Sequence, residues 1–443
     1  MGSTNFDGTS ESFLRWFKSL PDATFSDAIK IVDLRDRNAG RVALEDIPAE
    51  TTLFTIPRKG IINVETSELP KKIPDAFDLD KPDDDDAPGL DSWSSLILIM
   101  IYEYLQGENS KWKPYFDVLP SSFDTPMFWS DNELDQLQAS HMRHKIGKAD
   151  AENMFQKTLL PIIRSNSEIF NAGNKTDAEL IEIAHRMGST IMAYAFDLEN
   201  DEEEEEEADG WVEDRDGKSM MGMAHVNHEE ESLTVTSLRP IKAGEEILNY
   251  YGPHPNSELL RRYGYVTEKH SRYDVVEIPW DIVESTLTSN FGIPGQVLEQ
   301  IVEDEEFEDT FVLERETGEV NSDGTFAEPA RFESMPEDLQ EQLKTFLKGI
   351  KKAQPDAIPD KRKRDEIHQA VLAKTLEALV ARYPTSISED ENLLKQDLNQ
   401  RTRMAIAVRL GEKKLLQEAI TASSGDVEMT MDDESGPAKR TKR

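Results

Sequence analysis

The chain reads as an α+β protein, and three observations predict that class. Short runs with period-two alternation lie before residue 280, each bounded by glycine, proline or polar turns. Helical apolar spacing at Trp93 to Leu105, and again after Asp177, interrupts them. Beyond Pro336 the pattern turns wholly helical, over Pro336 to Lys352, Lys361 to Tyr383 and Glu389 to Ala422. With 443 residues the chain has room for roughly two to three domains with their own cores.

Taken in order, Phe13, Trp16, Phe17 and Leu20 recur at helical spacing, and Pro21 stops that helix. Ala28 to Leu34 reads as a strand, followed by a polar turn through Gly40 and Arg41. Thr51 to Ile56 is a second strand, ended by Pro57. Ser67 to Ser92, rich in proline and aspartate, reads as a loop. Trp93 to Leu105 is a strongly apolar helix. Asp177 is placed to cap a helix carrying Leu180, Ile183, Ala184, Met187 and Ile191. Six consecutive glutamates then form an acidic loop at 199–209, a block that repels itself and stays solvated. Leu233, Val235 and Ser237 alternate with Thr234 and Thr236 as a half-buried strand, and Gly244 supplies the turn after it. Asn256 or Ser257 is suited to cap a short helix ending at Tyr263, and Tyr273 to Pro279 reads as a closing strand.

The most informative run is Ser232 to Val266, which delivers Asn249, Tyr250 and Tyr251 against Gly252 and then a helix with Arg261-Arg262-Tyr263-Gly264-Tyr265. From the pattern alone it reads as the end of a buried strand whose tyrosines are satisfied by backbone partners. The sequence of "I-K-A-G-E-E-I", "N-Y-Y-G" and "N-S-E-L-L-R-R-Y-G-Y" resembles the C-terminal half of a SET domain. It is most similar to the subgroup of protein lysine methyltransferases that includes Rubisco large-subunit methyltransferase and the fungal enzymes of ribosomal lysines. Upstream, "N-A-G-R" with "D-I-P-A-x-T-x-L-F-x-I-P-R" resembles the first SET motif, and "W-x-P-Y-F" with "P-M-F-W" the helical insertion of that subgroup.

The resemblance implies a β-rich SET domain over 23–280, after an N-terminal helix at 1–22, with a helical insertion at about 66–210. An all-α substrate-binding domain over 281–424 and a disordered tail at 425–443 would follow. It also implies S-adenosylmethionine (AdoMet) as cofactor. Tyr251 would orient the target amine; Gly40, Arg41, Asn249 and Tyr263 would contact AdoMet. Ser189, Tyr194 and Phe196, from "R-M-G-S-x-I-M-A-Y-A-F-D", would border the lysine pocket. The substrate it implies is a lysine of a 60S large-subunit ribosomal protein, with a histone or other nuclear protein as the alternative. Two departures from the family pattern stand out. Gly40-Arg41 runs directly into Val42 without a second glycine, and the family's "D-M-L-N" is absent between Gly222-Met223-Ala224 and His225-Val226-Asn227-His228. They keep open a SET-like module that binds basic ribosomal or nuclear proteins without turnover.

Composition narrows the partners. The net charge of −38 (50 Lys+Arg against 88 Asp+Glu) disfavours nucleic acid through the overall field and favours basic proteins. A salt-sensitive acidic chaperone is the reading that rests on charge alone. No cysteine is present, which removes disulfides and thiolate zinc sites, and the two His pairs offer no third spaced ligand, so no metal is expected. No run is long enough to span a membrane, and the start lacks signal-peptide blocks. The expectation is a monomer without membrane or direct nucleic-acid contact, sent to the nucleus (and also the cytoplasm) by the basic end Lys439-Arg440-Thr441-Lys442-Arg443.

Overall fold

A computed structural model describes residues 6–33, 39–77, 90–194, 224–228, 231–248, 251–302, 307–318 and 326–432. The acidic loop, Asp83 to Asp86, Phe196, Asn249 and the basic end lie outside the described residues. Two compact units divide the chain: 1–123 with 147–252 and 320–325, and 124–146 with 253–319 and 326–443.

The first unit is built on short strands. Helix α1 (Phe6–Ser19) precedes β1 (Thr24–Phe25), β2 (Ile29–Asp33), β3 (Ala39–Ala43) and β4 (Thr52–Pro57), with β5 (Ala224–His228) and β6 (Ser232–Ser237) much later in the chain. β1, β4, β6 and β5 form one antiparallel sheet in that order, and β2 and β3 pair as a separate hairpin. Period-two burial follows from the pleat: Leu53 and Val235 join Ile29, Ala43, Ile47 and Ile241 in one small core. Asn227, whose Asn-His pair superficially matches other SET domains, sits inside β5 opposite Thr234. Gly244 takes φ +85° in the turn assigned to it.

Helices form the other layer of this unit. In α2 (Ser92–Leu105) the run Ile97 to Tyr102 is buried on every side, which explains why it shows no polar face. Asp91 caps it, accepting from Ser94 N at 2.6 Å. Glu103 on this helix is buried but satisfied, accepting from Ser67 Oγ at 2.7 Å and Ser110 Oγ at 2.8 Å. The expected loop from Ser67 is in part helical: Leu69–Lys72 forms one turn because Leu69, fully buried, anchors it. Helix α3 (Lys113–Val118) follows Trp112, whose Nε1 donates to Gly60 O at 2.8 Å. Helix α4 (Asp177–Tyr194) is capped by Thr176 rather than Asp177. Glu179 N donates to Thr176 Oγ1 and Thr176 N to Glu179 Oε2, a reciprocal capping box, while Asp177 receives Arg164 Nε.

The second unit begins its helices with α5 (Asn256–Tyr263), for which Pro255 rather than Asn256 or Ser257 stands at the cap. Asn256 is buried, and its N and Nδ2 both donate to Asp274 Oδ1, so a distant carboxylate does the capping. The helix stops at Gly264, whose φ of +76° and close approach to the Thr125 backbone (3.0 Å from an added Cβ) exclude other residues. The strand expected at Tyr273 to Pro279 is shorter, β7 (Val276–Pro279). It pairs with β8 (Thr310–Leu313), not with the first unit's sheet. Around that hairpin pack α6 (Trp280–Phe291), α7 (Glu337–Ala353) and α8 (Lys361–Ala381), with Ile278, Leu287, Phe346 and Val371 in the core. The pattern at 389–422 divides into α9 (Ile387–Leu393) and α10 (Gln400–Asp432), because Asn399 Oδ1 accepts from Thr402 N and starts a new helix.

Candidate active site

Strand pairing assembles the site of the first unit. In the β2–β3 hairpin Gly40 faces Val32 and Arg41 faces Ile31. The segment after Gly244 then runs antiparallel along β3: Ala43 N donates to Glu245 O at 3.0 Å, and Ile247 N to Arg41 O at 2.7 Å. That register carries the chain toward Arg41 just before Tyr251. The next residue, Gly252, is buried with φ +99°, a turn that a side chain would strain.

Three residues singled out from sequence come together here. The Arg41 guanidinium stands within electrostatic reach of both Tyr251 and Tyr194. It also lies 5.4 Å from the centroid of the Phe54 ring, which itself stacks on Phe25. Arg41 is exposed, yet surrounding protein lowers its pKa through loss of hydration, against the opposing pull of the two tyrosines. Among the described residues no carboxylate pairs with it, so the cluster carries one uncompensated positive charge.

Tyr194, at the end of α4, is 42% exposed, and burial of its hydroxyl raises its pKa while Arg41 lowers it. Tyr115 on α3 joins the cluster through Tyr194; burial pushes its hydroxyl up to about 12, with Tyr194 adding to the rise. Both phenols therefore stay neutral at physiological pH. Tyr115 belongs to the "W-x-P-Y-F" run assigned to the helical insertion, and nothing in its local pattern points to Arg41 or Tyr194.

Ser189 is half-buried on α4 five residues before Tyr194, so the two leave the helix roughly 140° apart. Tyr263 belongs to the second unit, in a ring cluster with His254 at 6.4 Å and Tyr265 at 6.3 Å. Asn249 and Phe196 lie outside the described residues. No group of three or more His, Asp or Glu is placed to hold a metal among the described residues.

Residues 38–252 match the SET domain family, and residues 299–416 match the Rubisco LSMT substrate-binding family. The chain belongs to the SET-domain proteins that carry this second domain. Ribosomal lysine N-methyltransferase 4 of Saccharomyces cerevisiae is 33% identical over 68% of this chain and 64% of its own length. The N-lysine methyltransferase setd6 of Xenopus laevis is 30% identical over 51% of this chain and 50% of its own. This SET protein therefore spans half to just under two thirds of those two relatives. The SET domain of LSMT bound to lysine and AdoHcy shares the fold, with a TM-score of 0.65 at 20% identity over 97% of this chain and 93% of that one.

Proposed function

We propose that the protein is an AdoMet-dependent protein-lysine N-methyltransferase acting on a lysine of a large-subunit ribosomal protein. The observation that carries the reading is the convergence of Arg41, Tyr194 and Tyr251 in the SET unit. The site residues suit the cofactor's amino-acid end. A guanidinium with no carboxylate partner among the described residues, backed by the Phe54 ring, is ready for a carboxylate, and the neutral phenol of Tyr194 adds no competing charge. Asn249 and Tyr263 remain cofactor contacts on motif resemblance alone.

AdoMet supplies a methyl group on a sulfonium, which a neutral amine takes with loss of a thioether. The protein's part is to present that amine. A free lysine has a pKa near ~10.4, so most of it is protonated at neutral pH, and desolvation beside Arg41 favours the neutral form. The Tyr251 hydroxyl accepts a hydrogen bond from the amine and fixes the direction of its lone pair. Tyr194 walls the site and limits water.

The ribosomal substrate is supported by the name and 33% identity of the yeast relative and by the chain's negative charge. Calorimetric titration of AdoMet should give micromolar binding. Labelled AdoMet with ribosomal proteins should then mark one large-subunit protein, at a lysine found by mass spectrometry. A folded protein that neither binds AdoMet nor labels any ribosomal protein refutes the proposal. It would favour the binding-module reading, which one observation supports: 224–228 is already the strand beside β6, leaving no "D-M-L-N" segment ahead of it. We also place the protein in the nucleus, on its basic end at 439–443. A fluorescent fusion lacking 437–443 should lose nuclear enrichment, and an unchanged distribution would refute that assignment.

A further inference from the structure

Against a net charge of −38, residues 344–364 hold eight basic and two acidic side chains. Lys344, Lys348 and Lys352 are exposed and recur every four residues on α7, so they form a row with steps of about 6 Å. Lys361, Arg362 and Lys363 are exposed at the start of α8, with Arg364 half-buried behind them. The two helices run side by side: His368 Nε2 lies 3.2 Å from Gln340 O, and both Lys344 and Arg364 act electrostatically on that imidazole. Lys351 Nζ reaches Pro359 O at 3.4 Å across the connection. The lysine row and the basic helix start therefore share one end of the α7–α8 pair.

Helix electrostatics account for part of this surface and not the rest. Basic residues in the last turn of α7 suit its negative end, as its acidic first turn suits the positive end. At α8 the order is reversed: no acidic residue occupies the first turn, and the cations sit on the positive end, an arrangement that costs stability. Asp360 is committed as the cap, accepting from Lys363 N at 2.8 Å. Glu366 is shared between Arg362 and Lys363, and Asp365 lies 3.7 Å from Arg364. Lys344, Lys348, Lys352 and Lys361 have no ion pair among the described residues.

We propose that this face of the second unit binds RNA through its phosphate backbone. A row of free ammonium groups continuing into the exposed Lys361, Arg362 and Lys363 is complementary to a chain of phosphates. An acidic protein is the weaker fit, because protein interfaces are anchored by apolar and aromatic side chains. The exposed large hydrophobics among the described residues, Leu44, Val64, Met192, Tyr194, Leu248 and Val312, all lie outside this patch. Repulsion from the acidic remainder is screened beyond about 10 Å at 0.1 M salt, so the local field governs contact. RNA binding here stands apart from methyl transfer, while its use in approaching a ribonucleoprotein substrate rests on the proposed function.

The test is fluorescence anisotropy of the full chain with a labelled single-stranded 24-mer RNA between 50 and 200 mM KCl. The slope of log K against log salt should be about −3, from four free lysines at roughly 0.7 each. Lys344→Gln/Lys348→Gln/Lys352→Gln should flatten it by about 2 and weaken binding more than about tenfold at 100 mM, and Lys361→Gln/Lys363→Gln should flatten it by about 1. Each variant should stay folded and melt within a few degrees of wild type, since these side chains are exposed and their dipole and surface ion-pair effects are small. No binding at 50 mM salt overturns the proposal, as does equal competition by polyglutamate, which would indicate an acidic protein partner. Dependence on Lys361 and Lys363 alone would also overturn it, marking a linear signal instead of a surface. Neither variant alters Arg41, Tyr194 or Tyr251, so AdoMet affinity by calorimetry should be unaffected by either, and failure of the enzyme reading and failure of this one are separable.

Discussion

Tyr251→Phe is expected to slow methyl transfer by at least about a hundredfold while leaving the fold and AdoMet affinity nearly intact. The substitution removes one oxygen and keeps the ring, so packing beside Gly252 is preserved. What is lost is the hydroxyl that orients the amine, an interaction needed at the reacting geometry more than in the resting complex. The loss should therefore fall on kcat more than on KM for the protein substrate. Arg41→Ala should show the opposite balance, raising the Kd for AdoMet, because its guanidinium is assigned to the carboxylate end under the proposed function. Single-turnover rates with labelled AdoMet, read beside calorimetry, separate the two. A Tyr251→Phe protein with wild-type turnover would remove Tyr251 from the mechanism.

Asp390→Ala should destabilise the second unit by about 3–5 kcal/mol. Asp390, Arg409 and Lys413 are 0%, 1% and 2% exposed, on α9 and one turn apart on α10. Arg409 grips the carboxylate with both Nη2, at 2.7 Å to Oδ1, and Nε, at 3.1 Å to Oδ2. Lys413 pairs with the other oxygen, and Thr385 Oγ1 donates to Oδ1 at 2.8 Å. One carboxylate thus pairs with two buried cations and offsets one of their two charges, and its removal takes from both the carboxylate that holds them in a buried setting. Replacing all three together, with Asp390→Leu, Arg409→Met and Lys413→Met, should cost far less because no charge is then stranded. Urea unfolding of both variants decides it. A single variant with the wild-type midpoint would contradict the account.

Local chemistry made much of the fold readable. Pro21 ended the first helix, Gly244 took its positive φ, and the apolar run from Leu96 was a buried helix. Misreadings came where a distant group intervened. Asn256 looked like a cap by residue type, but its own amide is bound by Asp274. Leu69 sits in a segment whose composition reads as loop, and burial of that one side chain made it helical. Tyr115 was equally opaque, since its neighbours in sequence are ordinary packing aromatics and its functional neighbour is on another helix.

The sequence by itself determined the SET family, the succession of strands and helices, and Arg41, Tyr194 and Tyr251 as residues to watch. Motif spacing and periodicity are local properties, and each side chain carries its chemistry with it. Only the tertiary structure decided that those three meet, because their approach depends on β3 pairing with the segment after Gly244 through Ile247 N and Arg41 O. It also decided that Ser189 points away from Tyr194, and that lysines on two helices share one end of the α7–α8 pair. Hydrogen-bonded register between distant segments and the antiparallel seating of helices set these relations, and neither is written in any short window of the chain.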